Sequence, residues 1–159
     1  LKKTELLIGE SLRERGLTLA LAESCTGGLL SSRITDVPGS SEYFLGSIVA
    51  YANGVKVSGL GVRAATLRRY GAVSKETAAE MARGVKNRLG AGLTAGITGI
   101  AGPGGGTPEK PVGLVYIAVS KGRTTIVKRF VFKGGRKSIK KQSTEAALLM
   151  LAEALGIKS

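Results

Sequence analysis

The sequence has no histidine, no tryptophan, one cysteine and one aspartate, Asp36, in 159 residues. Without histidine the commonest general base is missing, and with it every Ser-His or Cys-His arrangement. Acid–base work then falls to lysine, tyrosine, a carboxylate or bound water, with lysine the leading base. A lone cysteine cannot form an internal disulfide, and the usual nitrogen and sulfur ligand sets for zinc cannot be assembled. No metal and no other cofactor is expected. The shortage of aspartate counts against the paired acids of magnesium-dependent phosphoryl transfer. No apolar run approaches the ~18 residues of a membrane span, and the first residues turn charged before any signal-like core develops, so a cytoplasmic location is expected. Three phenylalanines and four tyrosines are too few for an obvious platform on which single-stranded nucleic acid could stack.

Hydrophobic residues make up 43% of the chain and glycines number 24, a composition that suits one loop-rich domain, residues 1–159, with a proper core. The formal charge of +13 suggests an anionic partner: a small phosphorylated substrate, nucleic acid or a membrane surface. Plain solubility explains the same charge. The apolar content leaves room for a homo-oligomer.

Periodicity gives the order of elements. Residues 2–15 form an amphipathic helix that stops at Gly16, residues 17–22 a buried strand, residues 26–35 a helix. After a turn at Pro38-Gly39, residues 44–51 return as a strand, and Ala52-Asn53-Gly54 reads as a turn. Two short helices over 55–70 break near 59–62. Ser74 caps a helix whose face carries Ala78, Met81, Ala82, Val85 and Leu89, ending at Gly90. A strand over 92–98 runs into a glycine-proline loop, 99–108. Residues 112–120 and 124–132 form a hairpin around Lys121-Gly122-Arg123, and a helix over 139–155 closes the chain. The expected fold is α/β, a three-layer α/β/α sandwich with a mixed sheet of about five strands.

Four places can carry chemistry. In Ala22-Glu23-Ser24-Cys25-Thr26-Gly27-Gly28 a strand turns sharply into a helix N-terminus, where outward N–H groups and the helix dipole welcome an anion or a developing oxyanion. Ser24, Cys25 and Thr26 are its candidate nucleophiles or caps. The plain alternative is that Ser24 or Thr26 merely caps the helix and that Cys25 is a small core residue. Lys56 follows Tyr51 just past a strand end, and a desolvated lysine can take the proton of a serine hydroxyl. An exposed helix lysine beside a packing aromatic is the alternative. The glycine loop begins where α/β folds bind ligands, so the backbone of Gly99 and Gly102 could approach a phosphate, yet it lacks the Gly-Lys-Ser/Thr ending of a P-loop. Basic residues concentrate from Arg123 to Lys141, a solvated face in which one or two cations could receive a substrate phosphate.

Four blocks, Ala22 to Gly28, Val49-Ala50-Tyr51-Ala52-Asn53 with Lys56, Thr98-Gly99-Ile100-Ala101-Gly102-Pro103, and Lys110-Pro111-Val112-Gly113-Leu114-Val115-Tyr116, resemble the signature blocks of the CinA C-terminal domain family, in order and across nearly the whole chain. The resemblance implies a nicotinamide-nucleotide amidohydrolase, which converts the carboxamide of nicotinamide mononucleotide to a carboxylate and releases ammonia. It implies Ser24 as nucleophile, Lys56 as base and Tyr51 as a residue that positions or relays the proton. Thr26, Gly27, Thr98, Gly99, Gly102, Arg136 and Lys140 are the expected substrate-binding positions. The final segment departs from the family pattern. Gly134-Gly135-Arg136 lacks the family's aspartate, and Lys140 replaces a second arginine, exchanging a planar fork for a point charge. Some members carry a larger N-terminal domain, whose chemistry none of the four blocks represents. The partner expected is a small-molecule nucleotide rather than nucleic acid or a membrane. A non-catalytic nucleotide- or nucleic-acid-binding module and an amidase for a different amide stand as alternatives.

Overall fold

The structure, a computed structural model, describes residues 3–158. Lys2, expected to open the first helix, lies outside that range. A five-stranded mixed sheet forms the middle layer, built from β1 (Leu19–Glu23), β2 (Phe44–Val49), β3 (Leu93–Gly99), β4 (Leu114–Lys121) and β5 (Thr124–Val131) in the order β2-β1-β3-β4-β5. β1 pairs in parallel with β2 and β3, whereas β4 and β5 are antiparallel to their neighbours. The parallel half brings the C-terminal ends of β1, β2 and β3 to one rim. Ligands bind at such a rim in open α/β sheets.

Helices α1 (Thr4–Arg15), α2 (Leu29–Thr35) and α6 (Arg136–Ala154) cover one face, and α3 (Asn53–Leu60), α4 (Ala64–Tyr70) and α5 (Lys75–Leu89) the other. The alternation along β1 explains the two cores. Leu19 and Leu21 join Ile8 and Leu12 of α1 and Leu148 and Leu151 of α6, while Ala20 and Ala22 face Met81 and Val85 of α5. α5 lies so close to β3 that a Cβ on Gly96 would sit 2.8 Å from the carbonyl of Ala78 and the amide of Ala82. Thr94, two residues earlier, ties the same helix down by donating to the Ala82 carbonyl at 2.8 Å.

The α/β/α sandwich and its five strands agree with the sequence reading, and the corrections lie at element ends. β1 runs from Leu19 through Glu23, two residues later than expected at its start, and β2 stops at Val49. α2 begins at Leu29 rather than residue 26, because Gly27 (φ 61°) and Gly28 (φ 105°) are left-handed and cannot belong to a right-handed helix. Asn53 and Gly54, read as a turn, form the first turn of α3, and α6 starts one turn early, at Arg136. Ser74 caps α5 as expected, accepting from the Thr77 amide at 3.2 Å.

Candidate active site

Ser24 sits at the end of β1, where its amide donates to the Ile97 carbonyl of β3 at 3.0 Å. Lys56 arrives from α3. It is 1% exposed, and its Nζ lies 3.1 Å from Ser24 Oγ and 3.0 Å from the Tyr51 carbonyl oxygen. No carboxylate pairs with it among the described residues. Burial therefore dominates its titration and pulls the ammonium below the ordinary lysine range, against a smaller opposing effect from Cys25. A neutral Lys56 can donate one N–H to Tyr51 and turn its lone pair to the Ser24 hydroxyl. The pair thus brings a hydroxyl into contact with a desolvated amine that could serve as its base.

Cys25 is the weaker nucleophile by the same physics. It is buried, and its thiol is pushed up to about 12, chiefly by desolvation. Almost no thiolate exists there at neutral pH.

The N-terminus of α2 does not hold an empty anion site. Glu23, 0% exposed, folds back over the turn and fills it. Its carboxylate accepts from Thr26 Oγ1 at 2.7 Å, from the Leu30 and Ser31 amides at 3.0 Å each, and from Ser31 Oγ at 2.5 Å. An acid thus satisfies the orphan donors and the dipole of this helix from within the chain. The Thr26 hydroxyl is part of that structural arrangement, whereas its amide is not. Sequence reasoning quoted Glu23 in the turn and assigned it no role. The signal was a lone acid closing an apolar strand immediately before a helix start.

Tyr51, expected to position or relay the proton, meets Lys56 through its backbone. Its carbonyl orients Lys56, but its side chain is 58% exposed and its hydroxyl accepts from Arg136 at 2.7 Å. The Arg136 guanidinium also donates to the Gly102 carbonyl at 2.7 Å. One arginine at the start of α6 therefore joins Tyr51 to the glycine loop. Lys140 lies a turn further along, its Nζ 3.8 Å from where a Cβ on Gly27 would stand. Lys140 thus stands at the serine turn and Arg136 between Tyr51 and the glycine loop.

Thr98 and Gly99 end β3, the strand beside Ser24. The Thr98 hydroxyl is buried and donates to the Ala72 carbonyl at 2.7 Å, which locks the α4–α5 connection to the sheet. Gly99 is needed for packing: a Cβ there would sit 2.6 Å from Val115 Cγ2. A groove of about 780 Å³ is present elsewhere, at the hairpin end of the sheet, lined by Leu17, Val119, Ile126, Met150 and Arg123 among others. It contains neither Ser24 nor Lys56, which stand at the other rim.

The CinA C-terminal domain family matches residues 1–155. A putative competence-damage inducible protein of Moorella thermoacetica is 54% identical over 151 residues, covering 95% of this chain and 36% of the relative. A CinA-like protein of Thermotoga maritima is 49% identical over 147 residues, covering 92% of this chain and 36% of the relative. The chain therefore spans about a third of the length of the curated relatives it matches. Among solved structures, the competence/damage inducible protein CihA from Agrobacterium tumefaciens superposes with a TM-score of 0.92 at 40% identity, covering 96% of this chain and 93% of the other. A CinA superfamily protein from Escherichia coli superposes with a TM-score of 0.90 at 31% identity, covering 96% and 90%.

Proposed function

The chain belongs to the CinA C-terminal domain family, and from that premise we propose that it is an amidohydrolase that removes the carboxamide nitrogen of nicotinamide mononucleotide as ammonia. The observation that carries this reading is the 3.1 Å contact between Ser24 Oγ and a buried Lys56 Nζ that has no carboxylate partner among the described residues. Lys56 in its neutral form takes the hydroxyl proton as Ser24 Oγ bonds to the amide carbon. The resulting ammonium returns that proton to the departing nitrogen, which leaves as ammonia, and an acyl-Ser24 ester remains. Water attacks the ester with Lys56 again as base, giving the carboxylate and the free serine.

The oxyanion needs fixed donors, and the α2 dipole is already spent on Glu23. The amides of Cys25, Thr26 and Gly28 take no part in the backbone hydrogen bonds of the described residues, which makes them the donors of choice. Arg136 and Lys140 supply positive charge for a substrate phosphate. A +13 chain also suits the second reading, a non-catalytic module that binds nucleotide or nucleic acid.

Ammonia release from nicotinamide mononucleotide by wild type, Ser24→Ala and Lys56→Met, each checked for folding, separates the two. A general base contributes about 10²–10⁴-fold, so Lys56→Met should lose at least that much turnover, and Ser24→Ala a comparable amount. A folded wild type that binds the nucleotide and releases no ammonia would remove the catalytic reading.

A further inference from the structure

The groove at the hairpin end of the sheet, about 780 Å³, takes no part in the chemistry proposed above. Its size falls in the range of small-molecule sites, roughly 300–1,000 Å³. The packing of the sheet explains why it is open. Val119 of β4 and Ile126 of β5 are paired and so share the sheet face that carries α6. Val119 is 5% exposed, packed in the core with α6, whereas Ile126, one strand further out, is 53% exposed. Met150, near the end of α6, and Leu17, just after α1, line the same hollow. Gly92 lets its far side close, since a Cβ there would stand 3.1 Å from Leu17 Cδ2.

Cations border this apolar floor. Lys86 comes from α5 and donates to the Gly122 carbonyl, and Lys121 donates to the Ala154 carbonyl at 3.2 Å. A lysine ammonium has three donors, so each keeps N–H groups for a ligand. Arg123 stands exposed at the hairpin, and its side chain has no hydrogen bond or ion pair among the described residues. The one acid that lines the groove among the described residues, Glu153, is held by Lys128 at 2.7 Å. The negative end of the α6 dipole also falls here. It is answered within the chain, by Lys121 on Ala154 and by Arg15 on the Leu155 carbonyl at 2.5 Å. The charge left over in the groove is positive.

We propose that this groove binds a small amphiphilic anion, a carboxylate on a hydrocarbon body of about ten carbons, with the hydrocarbon against Leu17, Val119, Ile126 and Met150 and the carboxylate at Arg123 and Lys86. Both halves of the lining select this occupant. The apolar walls reward a ligand that takes their surface out of water. The planar fork of Arg123 accepts a carboxylate through two parallel hydrogen bonds. A nucleic acid strand would use the cations and leave the apolar walls in water, and an uncharged apolar molecule would leave the cations without a counter-charge. The groove stands at the opposite end of the sheet from Ser24 and Lys56, so the proposal is independent of the enzymatic reading.

Titration of the whole chain with decanoate, followed through the backbone amide signals in NMR, tests it. Shifts should centre on Leu17, Gly92, Gly122 and Ile126 and saturate with a Kd of about 0.1 mM or tighter. Decanol, which keeps the hydrocarbon and lacks the charge, should bind at least about tenfold more weakly. Decyltrimethylammonium and inorganic phosphate should leave the groove signals where they are. Ile126→Asp, at an exposed position, puts a like charge on the apolar wall and should abolish decanoate binding. Arg123→Gln should weaken decanoate about tenfold and leave decanol unchanged. Leu45→Asp, an exposed apolar position on the other outer strand, should bind as wild type does. Absence of saturable shifts up to about 1 mM, shifts centred on the serine turn, equal binding of decanol and decanoate, or decanoate binding unchanged in Ile126→Asp or Arg123→Gln would each overturn the proposal.

Discussion

At the scale of single residues the informative group is Lys56, whose burial works against the fold and for the chemistry. Removing water from an ammonium penalises its charged form, so the folded chain gives up this proton more readily than the unfolded one. The sign follows directly. The cost to stability is fully present at pH values below the lowered folded-state pKa, and it fades as pH climbs toward the ordinary lysine value of about 10.4. Lys56→Met keeps an unbranched stem and drops the charge. It should therefore be more stable than wild type in urea at neutral pH, with the advantage shrinking as pH is raised toward 10. Catalysis should follow the opposite limb of the same titration. On the proposed mechanism kcat/KM rises with pH as neutral Lys56 accumulates and levels off below the ordinary lysine value. A Lys56→Arg variant, charged throughout, should show no such rise. A wild-type profile with the same pH dependence as Lys56→Arg would remove Lys56 as the base.

At the scale of elements, the serine turn depends on an acid that serves helix α2. Glu23 links the end of β1 to the first turn of α2 through four donors, and the turn between them carries Ser24. Glu23→Gln keeps the shape but weakens every bond by removing the charge and forces an amide N–H toward donors. Hydrogen bonds to charged groups contribute roughly 1.5–3 kcal/mol each, of which a partial loss of about 1–3 kcal/mol overall is expected. The urea midpoint should fall with an unchanged m-value, and turnover should fall with it as Ser24 loses its fixed approach to Lys56. The order of elements was legible because periods of two and of 3.6 alternate cleanly along this chain and glycines punctuate them, as at Gly16 and Gly90, both left-handed helix stops. The absence of histidine pointed to the serine turn and to a lysine, whereas the choice of Ser24 over Cys25 and Thr26 and its pairing with Lys56 came from the resemblance to the CinA family. What Glu23 does was not legible, since its reach depends on the left-handed Gly27 and Gly28 folding the chain back. The Arg136 contacts were beyond reach as well: Tyr51, Gly102 and Arg136 belong to separate segments that only the fold brings together. The early start of α6 had no signal, because Gly135 offers no side-chain cap.

At the scale of the whole molecule, the charge and the sheet have one geometry. The rim that gathers the ends of β1, β2 and β3 also receives the start of α6, so Arg136 reaches Tyr51 and Gly102, and Lys140 stands beside Gly27 of the serine turn. For a phosphorylated substrate these cations should act differently from distant ones. Distant charges act through solvent, with a Debye length of about 10 Å at 0.1 M salt, and so influence capture more than chemistry. Raising the salt from about 0.02 to 0.5 M should therefore raise KM for nicotinamide mononucleotide severalfold while leaving kcat within about twofold. Nicotinamide riboside, which lacks the phosphate monoester and keeps only the cationic pyridinium, should show no such rise in KM with salt. Arg136→Gln should raise KM and flatten the salt dependence, since it removes the one fork at the mouth while Lys56 and Ser24 remain in contact. Equal salt dependence for both substrates would mean that the positive field has no part in substrate capture, and Arg136 and Lys140 would then need a different purpose.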